Sequence, residues 1–261
     1  GCNTFLLEKS NELGGLASLI SKIPAKNRLA DFPHYLMHRA EQLENLYIFT
    51  NTEGTPENIR KFHPNIIVSS TGSAPLLPPI AGLKDRIDNE DYNIYSILGM
   101  INHINDFPKD LEGKKVVVVG GGAVGLDVVE FFADRNADIS IVEMMDQIGR
   151  DLDPVSKNDT KAMMKKHNVH QLTKTALLEV KDSSFLVRGD GEPYELPFEY
   201  GFVCLGMRAN APIWNDIQEA FTGEDVEVLN IGDSVRARRI IDGTDAGRHM
   251  VLNTLERLNY L

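Results

Sequence analysis

The residues whose types and spacing most clearly imply chemistry are Gly120-Gly121-Gly122-Ala123-Val124-Gly125, a Gly-x-Gly-x-x-Gly set, and Glu143, a carboxylate 18 residues past Gly125. Each glycine has a separable task. Gly120 permits a tight strand-to-helix turn, Gly122 lets a pyrophosphate approach bare backbone, and Gly125 lets the helix close on the strand. The unpaired N–H groups and positive dipole end of the following helix then favour the phosphates. Glu143 stands where an acid accepts hydrogen bonds from the hydroxyls of an adenosine ribose. Met144 and Arg150 follow in the same loop and join the candidate set for a pyridine dinucleotide.

A 2′-phosphate beside Glu143 would place like charges a few ångströms apart, costing about 1 kcal/mol in water and about 4 kcal/mol at a protein-surface dielectric. NAD(H) is therefore expected over NADP(H). Arg150 pulls the other way, since a guanidinium within a short loop of the ribose could pair with a phosphate. Glycine sets of this kind also form ligand-free turns, and a strand-end acid also serves as a solvated surface group. What favours the binding reading is that strand, turn, helix and acid occur together.

Those residues need elements to hold them. Gly113-Lys-Lys-Val-Val-Val-Val-Gly120 predicts an interior parallel strand, because four consecutive valines suit a strand covered on both faces. Leu126 to Ala133 predicts the helix after the turn, and Ala137 to Glu143 the second strand. From Thr175 to Leu205 the period shifts toward two, with a Gly189-Asp-Gly191 turn, which predicts a small antiparallel meander and a return strand. Thr4 to Glu8, Tyr47 to Thr50, Pro64 to Gly72 and Val226 to Asp233 read as further strands. Asn27 to Leu46 reads as a helix with Leu29, Phe32, Leu36 and Leu43 on one side, and Ile240 to Leu258 as another. Pro75, Pro78 and Pro79 make a connector, and Leu83 to Asp110 is expected as a linker.

Composition bounds the alternatives. The 261 residues carry 42% hydrophobic and 25% charged residues, ordinary for a globular chain with a sizeable core. A formal net charge of -11 argues against nucleic acid or an anionic membrane as partner. Two cysteines, Cys2 and Cys204, form no Cys-x-x-Cys, so neither a redox dithiol nor a cysteine metal site is expected, and Cys204 lies in an apolar run expected to be buried. No apolar stretch approaches the roughly 20 residues of a membrane helix, and a reducing, cytoplasmic setting is the default expectation. His167 and His170 read as surface residues; no residue set nominates an acid, base, nucleophile or metal centre.

Three further stretches follow a recognisable order: Glu8-Lys9-Ser with Gly14-Gly15, Ser69-Ser70-Thr71-Gly72, and Asn230-Ile-Gly232-Asp233. With the central glycine set they resemble the two-dinucleotide-binding flavoprotein reductases. The resemblance is closest to the reductase portion of the NADH:flavin oxidoreductases that include 2,4-dienoyl-CoA reductase and 2-enoate reductase, notably in Glu143-Met-x-x-x-Ile-Gly-Arg-Asp-Leu-Asp-Pro154 and Gly232-Asp-Ser-Val-Arg-Ala-Arg-Arg-Ile240. It runs through nearly the whole chain.

The resemblance implies an α/β fold of two Rossmann-like domains. The FAD-type domain would comprise residues 1–110 and 222–261, with an NAD(P)H-binding domain and its meander, 111–221, inserted. It further implies that Glu8 and Lys9 serve the FAD ribose, Gly14 and Gly15 the flavin path, Ser70, Thr71 and Gly72 the nucleotide pocket, and Gly232 and Asp233 the ribityl or pyrophosphate region. Gly206 would border the pyridine nucleotide. Taken singly, these residues also read as ordinary turns and surface acids.

The family's FAD half opens with its own valine strand and glycine turn, and an upstream barrel carries FMN and a 4Fe-4S cluster. Neither is found in this sequence, so the chain reads as a fragment of a longer polypeptide, with weak or absent FAD retention and a sheet edge that could promote homo-oligomers. The implied function is an electron relay from NADH through FAD to the upstream barrel. The alternatives are a non-catalytic NAD- or ADP-binding regulatory module and a stand-alone NAD-dependent dehydrogenase.

Overall fold

The computed structural model describes residues 1–260; Leu261, the last residue of the expected 222–261 segment, lies outside them. The fold is mixed α/β with parallel sheets, as the sequence predicts. The chain divides into two compact units, one of Gly1–Ser21, Asn27–Ala74 and Met207–Leu261, the other of Lys22–Lys26 and Pro75–Gly206.

The second unit is built on a five-stranded sheet in the spatial order Ile94–Tyr95, Tyr200–Val203, Lys115–Val119, Asp138–Val142, His170–Leu172, with every neighbouring pair parallel. The valine strand is central, with Tyr200 opposite Val116 on one side and Lys115 opposite Asp138 on the other. Side chains alternate across the sheet. Val117 and Val119 join Val142, Val203, Val180, Phe185 and Val187 in one core cluster, where the meander packs. Val116 and Val118, also fully buried, face the other side, where Phe132 of the helix Ala123–Ala133 lies 4.8 Å from Phe202 and 5.1 Å from Phe107, ring centre to ring centre. Cover on both faces is why this strand is uniformly apolar.

The meander is an antiparallel three-stranded sheet, Tyr194–Pro197, Ser184–Arg188, Ala176–Val180, with an irregularity between Leu186 and Val187. The expected linker from Leu83 to Asp110 is instead part of the folded unit. It contributes the edge strand Ile94–Tyr95 and the helix Ile97–Asn102, and buries Leu83, Ile94, Ile97, Met100 and Ile101. Its organising contact is Asp88, whose carboxylate accepts hydrogen bonds from the Ser96 N–H and hydroxyl at 2.7 and 2.6 Å.

Four strands of the first unit form two separate parallel pairs. Thr4–Leu7 runs beside Leu46–Phe49, and Ile66–Ser69 beside Glu227–Asn230. Around the second pair, Ile67, Ile217 and Phe221 form a small core with Ile59, Val226 and Val228 against it. The helix expected over 27–46 is shorter: a 3-10 segment, Pro24–Ala30, precedes the helix Asp31–Ala40. Its apolar residues Phe32 and Leu36, and Leu43 beyond it, are exposed rather than packed. The helix Ile240–Arg257 falls where predicted.

Candidate functional site

The site lies at the carboxyl edge of the five-stranded sheet. Gly120 follows the valine strand, Glu143 follows Asp138–Val142, and Gly206 lies just beyond Tyr200–Val203. Because these strands are parallel, their ends share one edge, where open α/β sheets take ligands.

The four glycines of the turn do four different things. Gly120 has a φ of +110°, and a Cβ there would overlap the Cys204 carbonyl, so both conformation and packing demand glycine. A Cβ on Gly125 would overlap the Gly120 carbonyl, which is the close strand–helix approach expected of the third motif glycine. Gly122 is the N-cap of the helix Ala123–Ala133, in extended backbone, and a Cβ there would meet nothing within 4 Å. Its side is open space, where a ligand can reach the first N–H groups of the helix, including those of Ala123 and Val124. Gly121 is buried and faces the acid.

Glu143 is held by backbone at every point. Its N–H donates to the Leu172 carbonyl and its carbonyl accepts from the Thr175 N–H, both at 2.9 Å. Its carboxylate accepts from the Gly121 N–H at 2.6 Å through Oε2 and from the Met145 N–H at 2.7 Å through Oε1. The loop after it returns to the glycine turn, where the Gly149 N–H donates to the Gly121 carbonyl at 2.7 Å. Met144 is 68% exposed on that loop, and Arg150 is exposed at its end. Gly206 adopts a φ of +101°, and its carbonyl accepts from the Leu76 N–H at 2.9 Å. The NAD-type residues are thus brought to one edge.

Of the residues assigned to FAD by resemblance, one group is drawn together. The pairing of Ser69 with Asn230 sets Ser70, Thr71 and Gly72 beside Gly232 and Asp233 at the ends of their strands. Asp233 accepts from the Ser73 hydroxyl at 3.3 Å and from the Arg238 N–H at 3.1 Å, and Gly72 and Gly232 have φ of +72° and +63°. Glu8, Lys9, Gly14 and Gly15 follow the other strand pair. Glu8 accepts from the Ser10 N–H at 2.7 Å, Lys9 is exposed, and Gly14 (φ +111°) and Gly15 (φ +53°) open the helix Gly15–Ile20.

The structure adds a feature that sequence reasoning missed. Lys26 forms ion pairs at 3.0 Å with both Asp127 and Glu130 on the glycine-turn helix. Burial pushes the Asp127 carboxyl above its ordinary pKa even against the Lys26 charge. Burial also works against the Lys26 ammonium, but its two carboxylates outweigh it and its pKa rises. Both values rise, which favours the charged Lys26 but disfavours the charged Asp127, because Asp127 is the more deeply buried partner. The acidic pair one turn apart was a visible signal, whereas the partner lies far back in the chain. Cys204, buried as expected, has its thiol pushed up to about 12, by burial first and then by the charges of Asp127 and Asp88. It is protonated at ordinary pH; its backbone bonds Val119 and limits Gly120.

Comparison with known proteins agrees with this geometry. The chain is 25% identical over 248 residues to an NADH oxidase of Thermoanaerobacter brockii, covering 95% of this chain and 36% of that one. It is 26% identical over 278 residues to a metal reductase of Desulforamulus reducens, covering 93% and 39%. Among solved structures, a 2-naphthoyl-CoA reductase in complex with 2-naphthoyl-CoA superposes with a TM-score of 0.79 at 23% identity, over 95% of this chain and 35% of that one. The chain therefore spans between a third and two fifths of the length of these relatives. Residues 43–227 match the family description of the pyridine nucleotide-disulphide oxidoreductases, flavoproteins that bind FAD and NAD(P)H. With the match covering the glycine turn, the parallel sheet and the strand-end acid, this chain belongs to the pyridine nucleotide-disulphide oxidoreductase family.

Proposed function

We propose that the chain is the dinucleotide-binding, electron-relay module of a flavin-dependent oxidoreductase of the 2-enoate and 2,4-dienoyl-CoA reductase kind, taking electrons from NADH. The observation that carries the reading is the complete set at one sheet edge: open Gly122 at a helix N-terminus, with Glu143 fixed beside the turn. In this reading the unit of 22–26 and 75–206 is the pyridine-nucleotide unit and the remainder is FAD-type.

The residues present fit a pyridine dinucleotide. The free N–H groups at the start of the helix Ala123–Ala133 would hold the pyrophosphate, with the helix dipole adding to the attraction. Glu143 uses one lone-pair direction on each oxygen for backbone, leaving others for the two ribose hydroxyls. Its negative charge favours NAD(H) over NADP(H). Met144 would border the adenine, and Gly206 the nicotinamide end. When bound, the nicotinamide supplies the hydride and the flavin accepts it; the protein's part is to bind and orient them.

For FAD the fit is partial. Glu8, Thr71, Gly72 and Asp233 are at strand ends, yet the only Gly-x-Gly-x-x-Gly set in the chain is the one at Gly120. The two separate strand pairs support the view that another strand, with its own glycine turn, belongs between them. An upstream barrel of the same polypeptide carrying FMN and a 4Fe-4S cluster would complete the relay in a cytoplasmic protein. Among the described residues no helix is long and apolar enough to cross a membrane.

Titration calorimetry of the 261-residue chain should give binding of NADH in preference to NADPH. Rapid mixing of the full-length protein with NADH should bleach its flavin within the turnover time. Absence of nucleotide binding, or bleaching slower than turnover, sinks the proposal.

A further inference from the structure

We propose that Gly121, the second residue of the glycine motif, is a specificity-determining residue that acts through Glu143: by lacking a side chain it lets the carboxylate lock onto the turn in the one position that reads a ribose diol and rejects a 2′-phosphate. The inference rests on the reading of this edge as a pyridine-dinucleotide site.

Gly121 differs from its neighbours in why it must be glycine. Its φ lies outside the left-handed region, so the backbone itself would accept alanine. What a Cβ would meet is the acid. It would lie 2.9 Å from Glu143 Oε2, 3.1 Å from Glu143 Cβ and 3.1 Å from Ile148 Cγ1. These contacts are tighter than ordinary van der Waals separation, and Ile148 is itself buried. The carboxylate is the neighbour with room to give, because Glu143 is only half-buried.

The lock has three bonds. The Gly121 N–H holds Oε2, the Met145 N–H holds Oε1, and the Gly149 N–H holds the Gly121 carbonyl, closing the loop 143–149 onto the turn. Bonds from N–H to carboxylate are charge-assisted and stronger than neutral ones. A 2′-phosphate arriving at this edge could be accommodated only by swinging the carboxylate away, which breaks both of its bonds. A ribose diol needs no such movement. Selectivity therefore resides in how firmly the acid is held as well as in its charge.

The test is calorimetric titration of NADH and NADPH against the 261-residue chain and three variants, with thermal melts to monitor folding. Gly121→Ala should weaken NADH about tenfold, the loss of one charge-assisted bond, while NADPH binding stays level or improves, so the affinity ratio falls. Gly121→Ala with Ile148→Ala removes the Ile148 contact but leaves the methyl against the carboxylate, so the lowered ratio should persist, and a restored ratio overturns the inference. Glu143→Asp keeps the charge but shortens its reach to the Gly121 N–H, and should also lower the ratio; it decides the matter should Gly121→Ala fail to fold. An unchanged ratio in Gly121→Ala or Glu143→Asp overturns the inference while the nucleotide site stands. Preference of the unmodified chain for NADPH does the same. No binding of either nucleotide to the unmodified chain overturns the site and the inference with it.

Discussion

At the scale of single residues, the glycine turn separates two demands that a motif merges. Gly125 is constrained by the fold, since any side chain there collides with the Gly120 carbonyl. Gly122 is constrained by nothing in the protein. Gly125→Ala should therefore destabilise the chain by about 1–3 kcal/mol, the usual range for overpacking, with a lowered thermal midpoint. Gly122→Val should melt with the unmodified chain and yet lose NADH affinity by tenfold or more, because its side chain fills the space the pyrophosphate needs. Equal melting of both variants, or retained affinity in Gly122→Val, contradicts this division. The sequence alone assigned the outer roles of Gly120, Gly122 and Gly125, since those follow from spacing. It was silent on Gly121, whose role depends on where a side chain 22 residues later comes to rest.

At the scale of elements, legibility followed local pattern. Four valines and the glycine turn located the central strand and its helix, because cover on both faces leaves a continuous apolar run. Leu83 to Asp110 was opaque because its strand is two residues long, too short for any period, and its shape is set by Asp88 bonding Ser96. The helix Pro154–Lys166 went unread although Asp153 followed by Pro154 is a start signal: Asp153 caps it, accepting from the Val155 and Ser156 N–H groups.

Lys26 belongs to the same scale, since it pins the segment Lys22–Lys26 onto the glycine-turn helix. Lys26→Ala leaves Asp127 largely buried without its cation and should cost roughly 1 kcal/mol at neutral pH. The sign with pH is fixed. The folded-state pKa of Asp127 is already raised and would rise further, so this stability is lost as pH climbs through that value and regained as it falls. Urea melts at neutral and mildly acidic pH should show the deficit shrinking on acidification; a deficit that grows instead excludes the assignment.

At the scale of the whole molecule, the two strand pairs of the first unit bear on what the chain can hold by itself. Phe5 and Val68, on different pairs, are exposed, as are Tyr47, Ile48 and Phe49. Separate strand pairs and a single glycine turn lead us to expect that the purified 261-residue chain is colourless and does not retain added FAD after gel filtration. A yellow, stoichiometrically loaded preparation would count against this and against the gap between the pairs as a strand position. The resemblance in sequence gave an expectation of which residues belong near FAD. It could not indicate that Ser70–Gly72 and Gly232–Asp233 would be gathered while Glu8–Gly15 followed a separate strand pair, because that depends on which strands find partners.

The pairing of Ile66–Ser69 with Glu227–Asn230 also sets an order of events during synthesis. The Ser234 hydroxyl reaches the Ser69 carbonyl across 165 residues of chain, so the earlier strand must wait for almost the whole of the intervening sequence to leave the ribosome. The unit spanning Pro75–Gly206 has most of its partners within that interval and can close first. Closing such a long loop carries a modest entropic cost but slows folding. The nucleotide edge would thus be formed while Ile66–Ser69 is still unpaired, and the newborn chain would pass through a stage in which Ile67 and Val68 depend on chaperones, or on speed, to avoid the wrong strand.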